Sequence, residues 1–178
     1  SEMCIRDRLI GSTKILMADG SSKPINEISI GDRVSSPYFT YNSVVNVFLG
    51  MEEVLVYIVA DGRELCMSKD SLIETANGVI PVTELQLYDS INIFDSKTAD
   101  TKFVNITEIG ERTEAPEIYS LELDREHTYI ANGFCVGDFQ WMYSKEMNLH
   151  RSTKEDSTSH PTIEEELRNL LDQLKKRE

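Results

Sequence analysis

Few side chains in this sequence could act as nucleophiles or as acid–base groups. The chain has three cysteines and three histidines. Cys66 and Cys135 lie in apolar stretches typical of strands and are expected to be buried and inert, although a redox or nucleophilic role of Cys135 stays open. His127 precedes a similar stretch, where it is either a proton-transferring group or an ordinary surface residue. The cysteines have neither metal-ligand spacing nor a disulfide framework, so we expect no metal and no cofactor.

The charge balance excludes two classes of partner. The 178 residues include 31 acidic and 18 basic side chains, which gives a formal net charge of −13. Binding to phosphates needs lysine and arginine, so neither nucleic acid nor an anionic membrane is an expected partner. No apolar run approaches membrane-spanning length. The localisation of the protein stays open.

The elements that would position these side chains include a repeated unit. Pro24–Val34 matches Pro81–Ile91 without a gap, and every apolar position stays apolar. Each copy follows an Asp-Gly or Asn-Gly pair, which supplies the positive φ angles of hairpin turns. Matched order at matched spacing favours a duplication over chance similarity. Asp32 and Asp89, at equivalent positions, are expected to be turn or cap residues.

The stretch that contains these copies is predicted to be all-β. Val54–Val59 is a short apolar run rich in β-branched residues, which is typical of a buried strand. Apolar and polar residues alternate over Tyr119–Leu123, and Ile91–Phe94 and Phe103–Ile106 are further candidate strands. No amphipathic helix of useful length precedes Asp138. A third turn signal, Asn-Gly, follows within the last predicted hairpin.

The chain changes character after Asp138. Residues 139–160 are predicted to be a linker, because the second half of this stretch is polar. Residues 161–178 are predicted to form an amphipathic helix, because Thr162 and Glu165 have capping-box spacing ahead of an apolar stripe. A helix of this length is marginal alone, so it is expected to dock on this domain, on another copy or on a partner. The stripe consists of Ile163, Leu167, Leu170, Leu171 and Leu174.

The first eight residues are predicted to be foreign. Ser1–Arg8 resembles one reading frame of a transposase adapter used in sequencing libraries, and such scars do not belong in fold reasoning. An ordinary polar N-terminus is the alternative. If the stretch is a scar, Cys4 has no function, upstream sequence has been lost, and Arg8 does not report the natural residue at its position.

Three stretches in order resemble the motifs of a known family. Gly11–Gly20, with its Gly31–Val34 ending, resembles the N-terminal block of inteins, and Ser68–Gly78 is similar to the block that carries Thr-x-x-His. Ile118–Val136 resembles the C-terminal block. Residues 9–138 therefore resemble a degenerate Hint domain, the self-processing fold of inteins and hedgehog C-terminal domains, in a mini-intein-like or bacterial intein-like form. The resemblance implies a horseshoe-like all-β fold built from a duplicated unit.

The resemblance also assigns positions for the first chemical step, in which a Cys or Ser takes up the acyl group of the preceding residue. The spacing places this nucleophile at Arg8, which cannot perform the step. Ser68 fits the hydroxyl of the second block. Its histidine, which protonates the departing nitrogen, falls on Ser71, and a serine hydroxyl cannot supply that proton comparably.

The C-terminal block implies a further set of residues. His127 matches the histidine that assists cleavage, whereas Gly137 and Asp138 stand where splicing needs a histidine and a cyclising asparagine. Two functions follow. The domain is either a self-processing element that acts on its own flanking polypeptide, by splicing or by cysteine-type N-terminal cleavage, or a degenerate Hint fold kept as a structural or interaction module. Such a module could belong to a viral or other large structural protein.

Overall fold

The computed structural model describes residues 9–38, 40–51, 54–113, 117–138, 140–145, 147–148 and 163–176. Arg8 and the rest of the predicted adapter scar lie outside the described residues, as do residues 149–160 of the predicted linker. The chain divides into two compact units, Ser1–Tyr143 and Ser144–Glu178. The limits 9–138 stay a prediction for the Hint-like segment, and the first unit runs on to Tyr143.

The described part of the first unit is built almost entirely from antiparallel strands, which confirms the all-β prediction. The strands are β1 Leu9–Ile10, β2 Lys14–Leu16, β3 Ser22–Pro24, β4 Arg33–Ser35, β5 Tyr41–Met51, β6 Val54–Ala60, β7 Arg63–Ser68, β8 Leu72–Thr75, β9 Gly78–Pro81, β10 Ser90–Asp95, β11 Asp100–Thr113, β12 Glu117–Leu123, β13 Thr128–Ala131 and β14 Phe134–Gly137. The path through the sheet is β3-β2-β13-β14-β10-β11-β6-β7-β1-β12-β5-β4, and β8 joins β10 and β9.

Two stretches of this unit repeat one order of elements. In the first, β2 and β3 pair and lead into a 3-10 turn over Ile25–Glu27. In the second, β8 and β9 pair and lead into a 3-10 turn over Val82–Glu84. The first residue of each turn donates its N–H to an upstream carbonyl, that of Thr13 at 2.8 Å and that of Ser71 at 2.9 Å. The duplication is confirmed, and Ser71 is the counterpart of Thr13.

Each copy ends in a turn that an aspartate closes. Asp32 Oδ2 accepts the Ser29 N–H at 2.9 Å, and Asp89 Oδ2 accepts the Gln86 N–H at 2.8 Å. The two residues are turn residues, as the sequence predicts. Asp32 also accepts a hydrogen bond from the Lys23 ammonium at 2.9 Å. That bond, with the Ser29 N–H, lowers the pKa of the Asp32 carboxyl below its ordinary value of 3.8.

Asn-Gly and Asp-Gly pairs make the tight hairpins. Asn132 and Gly133, between β13 and β14, have φ angles of 50° and 85°, and Asp61 and Gly62, between β6 and β7, have 51° and 71°. Positive φ at both central residues matches the right-handed twist of the flanking strands. Asn132 also ties its hairpin to a third strand, because its Oδ1 accepts the Lys14 N–H at 2.7 Å.

The core is a single large apolar cluster with a small second one. Ile58, Leu65, Ile93 and Phe134 are among its fully or almost fully buried side chains. The second cluster lies on the opposite face of β6, β7 and β12 and consists of Leu55, Cys66 and Ile118. Strands that are apolar on both faces read as continuous apolar runs, which explains Val54–Val59. The prediction that Cys66 is a buried core residue is confirmed.

In the described residues, α-helices occur only after the last strand of the sheet. Residues 140–145 (α1) are helical, and Met142 is only 4% exposed. In the second unit α2 spans Ile163–Lys176, which confirms the predicted C-terminal helix, although Thr162 of its capping box lies outside the described residues. No described helix is both long enough and apolar enough to cross a membrane.

Candidate functional site

The carboxylate of Asp138 is the centre of a buried hydrogen-bond network. Its Oδ2 accepts the Leu123 N–H at 2.7 Å and lies 2.9 Å from Nδ1 of His127. Its Oδ1 accepts the Trp141 N–H at 2.9 Å, so Asp138 caps the first turn of α1. The side chain of Asp138 is fully buried. Burial raises the pKa of its carboxyl, and the hydrogen bonds from Trp141, His127 and Leu123 oppose that shift.

His127 stands at the start of β13 as the partner of Asp138. Its backbone is left-handed, with a φ of 60°, and its carbonyl accepts the Asp138 N–H at 2.7 Å. The imidazole is 30% exposed. Two residues that the sequence assigns to the C-terminal block are therefore brought into direct contact. The carboxylate orients the imidazole through Nδ1 and leaves Nε2 as the nitrogen that faces away from this bond.

Ser68 and Ser71 shape a tight loop between β7 and β8. The Ser71 N–H donates to the Ser68 carbonyl at 3.0 Å, and the Asp70 N–H donates to Ser68 Oγ at 3.3 Å. Both serine side chains are buried. The loop is therefore well formed at the positions where the resemblance predicts a hydroxyl and a histidine, and the second of these positions is a buried serine.

Ser71 and Gly137 meet at one small cavity. A cavity of about 20 Å³ has Leu9, Ser71, Cys135 and Gly137 in its wall, which is room for roughly one water molecule. Leu9 follows the position predicted for the nucleophile. The structure thus brings together the beginning of the domain, the second block and the end of the domain. Of the predicted site residues, neither Ser68 nor the His127–Asp138 pair is part of this wall.

The side chains of α1 close the cavity. Trp141 and Met142 both line it, and the Met142 sulfur accepts the Leu72 N–H at 3.2 Å. A Cβ atom on Gly137 would overlap the Trp141 indole. Gly137 therefore allows close approach of an aromatic ring to the backbone, a role that the sequence analysis did not assign to it. The signal lay in the one tryptophan of the chain, four residues downstream.

Cys135 was weighed in the sequence as an inert core thiol, and the structure places it in the wall of the same cavity. Its side chain is partly exposed. Burial raises the pKa of the thiol to about 12, the Glu74 carboxylate adds to the shift, and Arg63 opposes it. A thiol with so high a pKa is almost wholly protonated near neutral pH and is a poor nucleophile as it stands.

A smaller cavity adjoins the first and shares Glu74, Cys135 and Trp141 with it. Asn92 donates its Nδ2–H to the Tyr38 hydroxyl there, and burial raises the pKa of Tyr38 to about 12. Among the described residues, no group of histidine, cysteine and carboxylate side chains is arranged to hold a metal ion.

The sequence matches no protein-family model and no curated protein. Solved structures of inteins, however, are similar to the fold. The gp41-1 intein is 24% identical, with a TM-score of 0.62, over 74% of this chain and 98% of that chain. The bacterial intein-like domain from Clostridium thermocellum is 20% identical, with a TM-score of 0.63, over 74% and 99%. A DnaB intein from Synechocystis is 19% identical, with a TM-score of 0.65, over 74% and 97%.

These likenesses span nearly the full length of each neighbour. The chain therefore contains a domain with the Hint fold of the inteins and intein-like domains.

Proposed function

We propose that this domain is a degenerate Hint fold that does not splice and serves as a structural or interaction module. The observation that carries the proposal is that the Asp138 carboxylate, at the position of the C-terminal junction, is buried and fully hydrogen-bonded. Splicing ends when an asparagine side-chain nitrogen attacks its own backbone carbonyl, and here that position has a carboxylate held by two backbone N–H groups and by His127.

The geometry around Asp138 opposes cyclisation in two ways. The carboxylate is already engaged, because the N–H groups of Leu123 and Trp141 donate to its two oxygens. The Asp138 carbonyl oxygen accepts the Met142 N–H at 3.0 Å, as in the first turn of a helix. A reaction at this carbonyl would have to break the helix cap and the first helical turn together. The structure around Asp138 therefore disfavours cleavage of the chain at this position.

The N-terminal junction lacks a proton donor in the second block. Proton transfer to a departing amide nitrogen needs a group with a pKa near the working pH, and imidazole meets that need. Ser71 has a hydroxyl, which does not. The described residues of the cavity wall contain no histidine in its place.

A second candidate function is N-terminal cleavage alone. The observation that favours it is the cavity, because Leu9 still lies beside Ser71 and Gly137 at the place where the two ends of the domain converge. Hedgehog-type domains perform only this step, which needs neither Asp138 nor Gly137. It does need a cysteine or serine at position 8, which here is arginine.

A cleavage assay tests the proposal. A carrier protein is fused ahead of residue 8 with Arg8→Cys, and the fusion is incubated with and without a strong thiol and followed by mass spectrometry. The fusion with Arg8→Ala is the matched control for hydrolysis that is independent of a nucleophile. We expect the Arg8→Cys fusion to stay intact. Thiol-dependent release of the carrier in Arg8→Cys, and not in Arg8→Ala, would refute the structural function and establish N-terminal cleavage.

The double variant Arg8→Cys/Ser71→His assigns the cause. If the missing imidazole is the reason for inactivity, thiol-dependent release should rise at least about tenfold over that of Arg8→Cys alone, within the range that a positioned acid contributes. Equal release from the two fusions, in chains that are shown to be folded, would contradict the role assigned to Ser71.

A further inference from the structure

We propose that the domain binds the segment of its own chain that follows Asp138 in a socket, which is part of the wall of the cavity beside Ser71. The side chains of Trp141 and Met142 in that segment form a cover over the cavity. The socket is the cavity wall formed by Leu72, Cys135 and Gly137, and the cover is the pair of side chains from α1. The inference does not depend on whether the chain cleaves itself, because the contacts that carry it involve no reaction at either junction.

Met142 is the apolar half of the cover. Its side chain is 4% exposed, and its sulfur accepts the N–H of Leu72, which is itself 7% exposed. A thioether is a weak acceptor, yet it is the partner that satisfies this buried donor. The contact joins residues 70 positions apart in sequence. Met142 therefore holds α1 against the loop that follows Ser71.

Trp141 is the aromatic half, and Gly137 is shaped to receive it. A Cβ atom on Gly137 would overlap three atoms of the indole, so any larger residue at this position forces the ring away. The Trp141 N–H donates to Asp138 Oδ1, which sets the direction of the first turn of α1. Gly137 and Asp138, which the family pattern assigns to chemistry, thus hold the cover in place. Gly137 packs against the Trp141 indole, and Asp138 accepts the Trp141 backbone N–H.

Cys135 reports whether the cover is closed. It lies in the wall of both cavities, and Trp141 lines both as well. The high pKa of the thiol follows mainly from burial, with Glu74 adding to it and Arg63 opposing it. Opening the cover admits water, lowers the cost of the thiolate and speeds alkylation, which consumes the thiolate.

The experiment measures iodoacetamide labelling of each cysteine in the full chain by peptide mass spectrometry, over a range of pH. The test variants are Met142→Ala, which removes part of the cover, and Gly137→Ala, which displaces it without altering it. Tyr143→Ala is the matched control, because Tyr143 belongs to the same helical segment but is 39% exposed and lines neither cavity. Cys66 is an internal control, since it is buried in the second core cluster.

We expect Cys135 to be labelled at least tenfold faster in both test variants, with the midpoint of its pH profile lowered, while Cys66 and the Tyr143→Ala chain behave like the wild type. Trp141 is the one tryptophan of the chain, so its fluorescence emission should shift to longer wavelength in both variants. Unchanged Cys135 labelling in folded variants would overturn the proposal. So would a parallel rise at Cys66, because the sheet itself would then be opening.

Discussion

At the scale of single residues, Asp138 stands where the resemblance predicts a cyclising asparagine, and its carboxylate has a structural use as an acceptor. The difference between asparagine and aspartate is a nitrogen for an oxygen, which removes the nucleophile and adds a second strong acceptor. The structure uses both oxygens as acceptors, from Leu123 and Trp141, and pairs one with His127. His127 therefore has a partner for Nδ1, and the choice between proton transfer and an ordinary surface position stays a prediction.

We expect Asp138→Ala to lower the free energy of unfolding by about 2–4 kcal/mol. The buried Leu123 N–H loses its acceptor, which costs roughly 1–3 kcal/mol, and the loss of the cap costs about 1 kcal/mol more. Asp138→Asn should cost less than Asp138→Ala, because one side-chain oxygen remains. Urea denaturation at pH 7 measures all three chains. An alanine variant within about 0.5 kcal/mol of the wild type would mean that the network contributes little.

At the scale of elements, the repeated unit is defined by backbone hydrogen bonds more than by side chains. Both copies have a 3-10 turn, an aspartate that closes the following turn, and an acceptor carbonyl, which belongs to Thr13 in one copy and to Ser71 in the other. Most other side chains differ between the copies. The backbone of Ser71 takes part in this pattern, because its N–H donates to the Ser68 carbonyl and its own carbonyl accepts the Val82 N–H.

The two closing aspartates give a matched pair for mutation. Asp32→Ala and Asp89→Ala should each cost about 1 kcal/mol of unfolding free energy from the lost turn hydrogen bond. Asp32→Ala should cost up to about 1 kcal/mol more, because the partly exposed Lys23–Asp32 pair is lost as well. Urea denaturation in low and in 0.5 M salt measures the difference, which high salt should reduce.

The same pair has a defined pH dependence. The folded-state pKa of Asp32 is lowered, so the stability that its charge contributes is present above its ordinary value of 3.8 and is lost as pH falls through the lower folded value. The cost of Asp32→Ala should therefore shrink below about pH 4, as measured by denaturation between pH 2.5 and 7. A cost that is independent of pH would contradict the pairing with Lys23.

At the scale of the whole molecule, the chain combines a sheet unit with a large core and a second unit whose described structure is mainly one helix. Leu167, Leu170, Leu171 and Leu174 of α2 are each between 55% and 58% exposed. The tail helix thus presents the apolar stripe expected from the sequence, and its docking partner stays a prediction. A helix of 14 residues has marginal stability of its own.

We expect α2 to melt before the sheet unit. Circular dichroism at 222 nm, which follows the helix, should begin to change at a lower temperature than the fluorescence of Trp141, which lies in the first unit. Leu170→Asp is the matched test of the stripe and should leave the fluorescence transition unchanged. Coincident transitions in the wild type that separate in Leu170→Asp would show instead that the leucines stabilise the helix by docking.

Much of the architecture could be predicted from local signals. The Asn-Gly hairpin at Asn132, the repeated unit and the buried run Val54–Val59 were predicted correctly, because turn chemistry and the spacing of apolar residues act over a few positions. Serine at position 71 and aspartate at position 138, where the resemblance predicts histidine and asparagine, could likewise be read directly. The sequence by itself determined the fold class and the repeat, whereas the loss of activity that these two residues imply stays a prediction.

Only the tertiary structure decided what those positions do instead. A period of two residues tells which side chains share a face of a strand, but it does not tell which strands become neighbours or what packs against an end. The Asp138–Leu123 bond spans 15 residues and the Met142–Leu72 contact spans 70. Their formation depends on β12, β14 and α1 meeting beside the loop of Ser71, which is a property of the sheet topology and of packing in three dimensions.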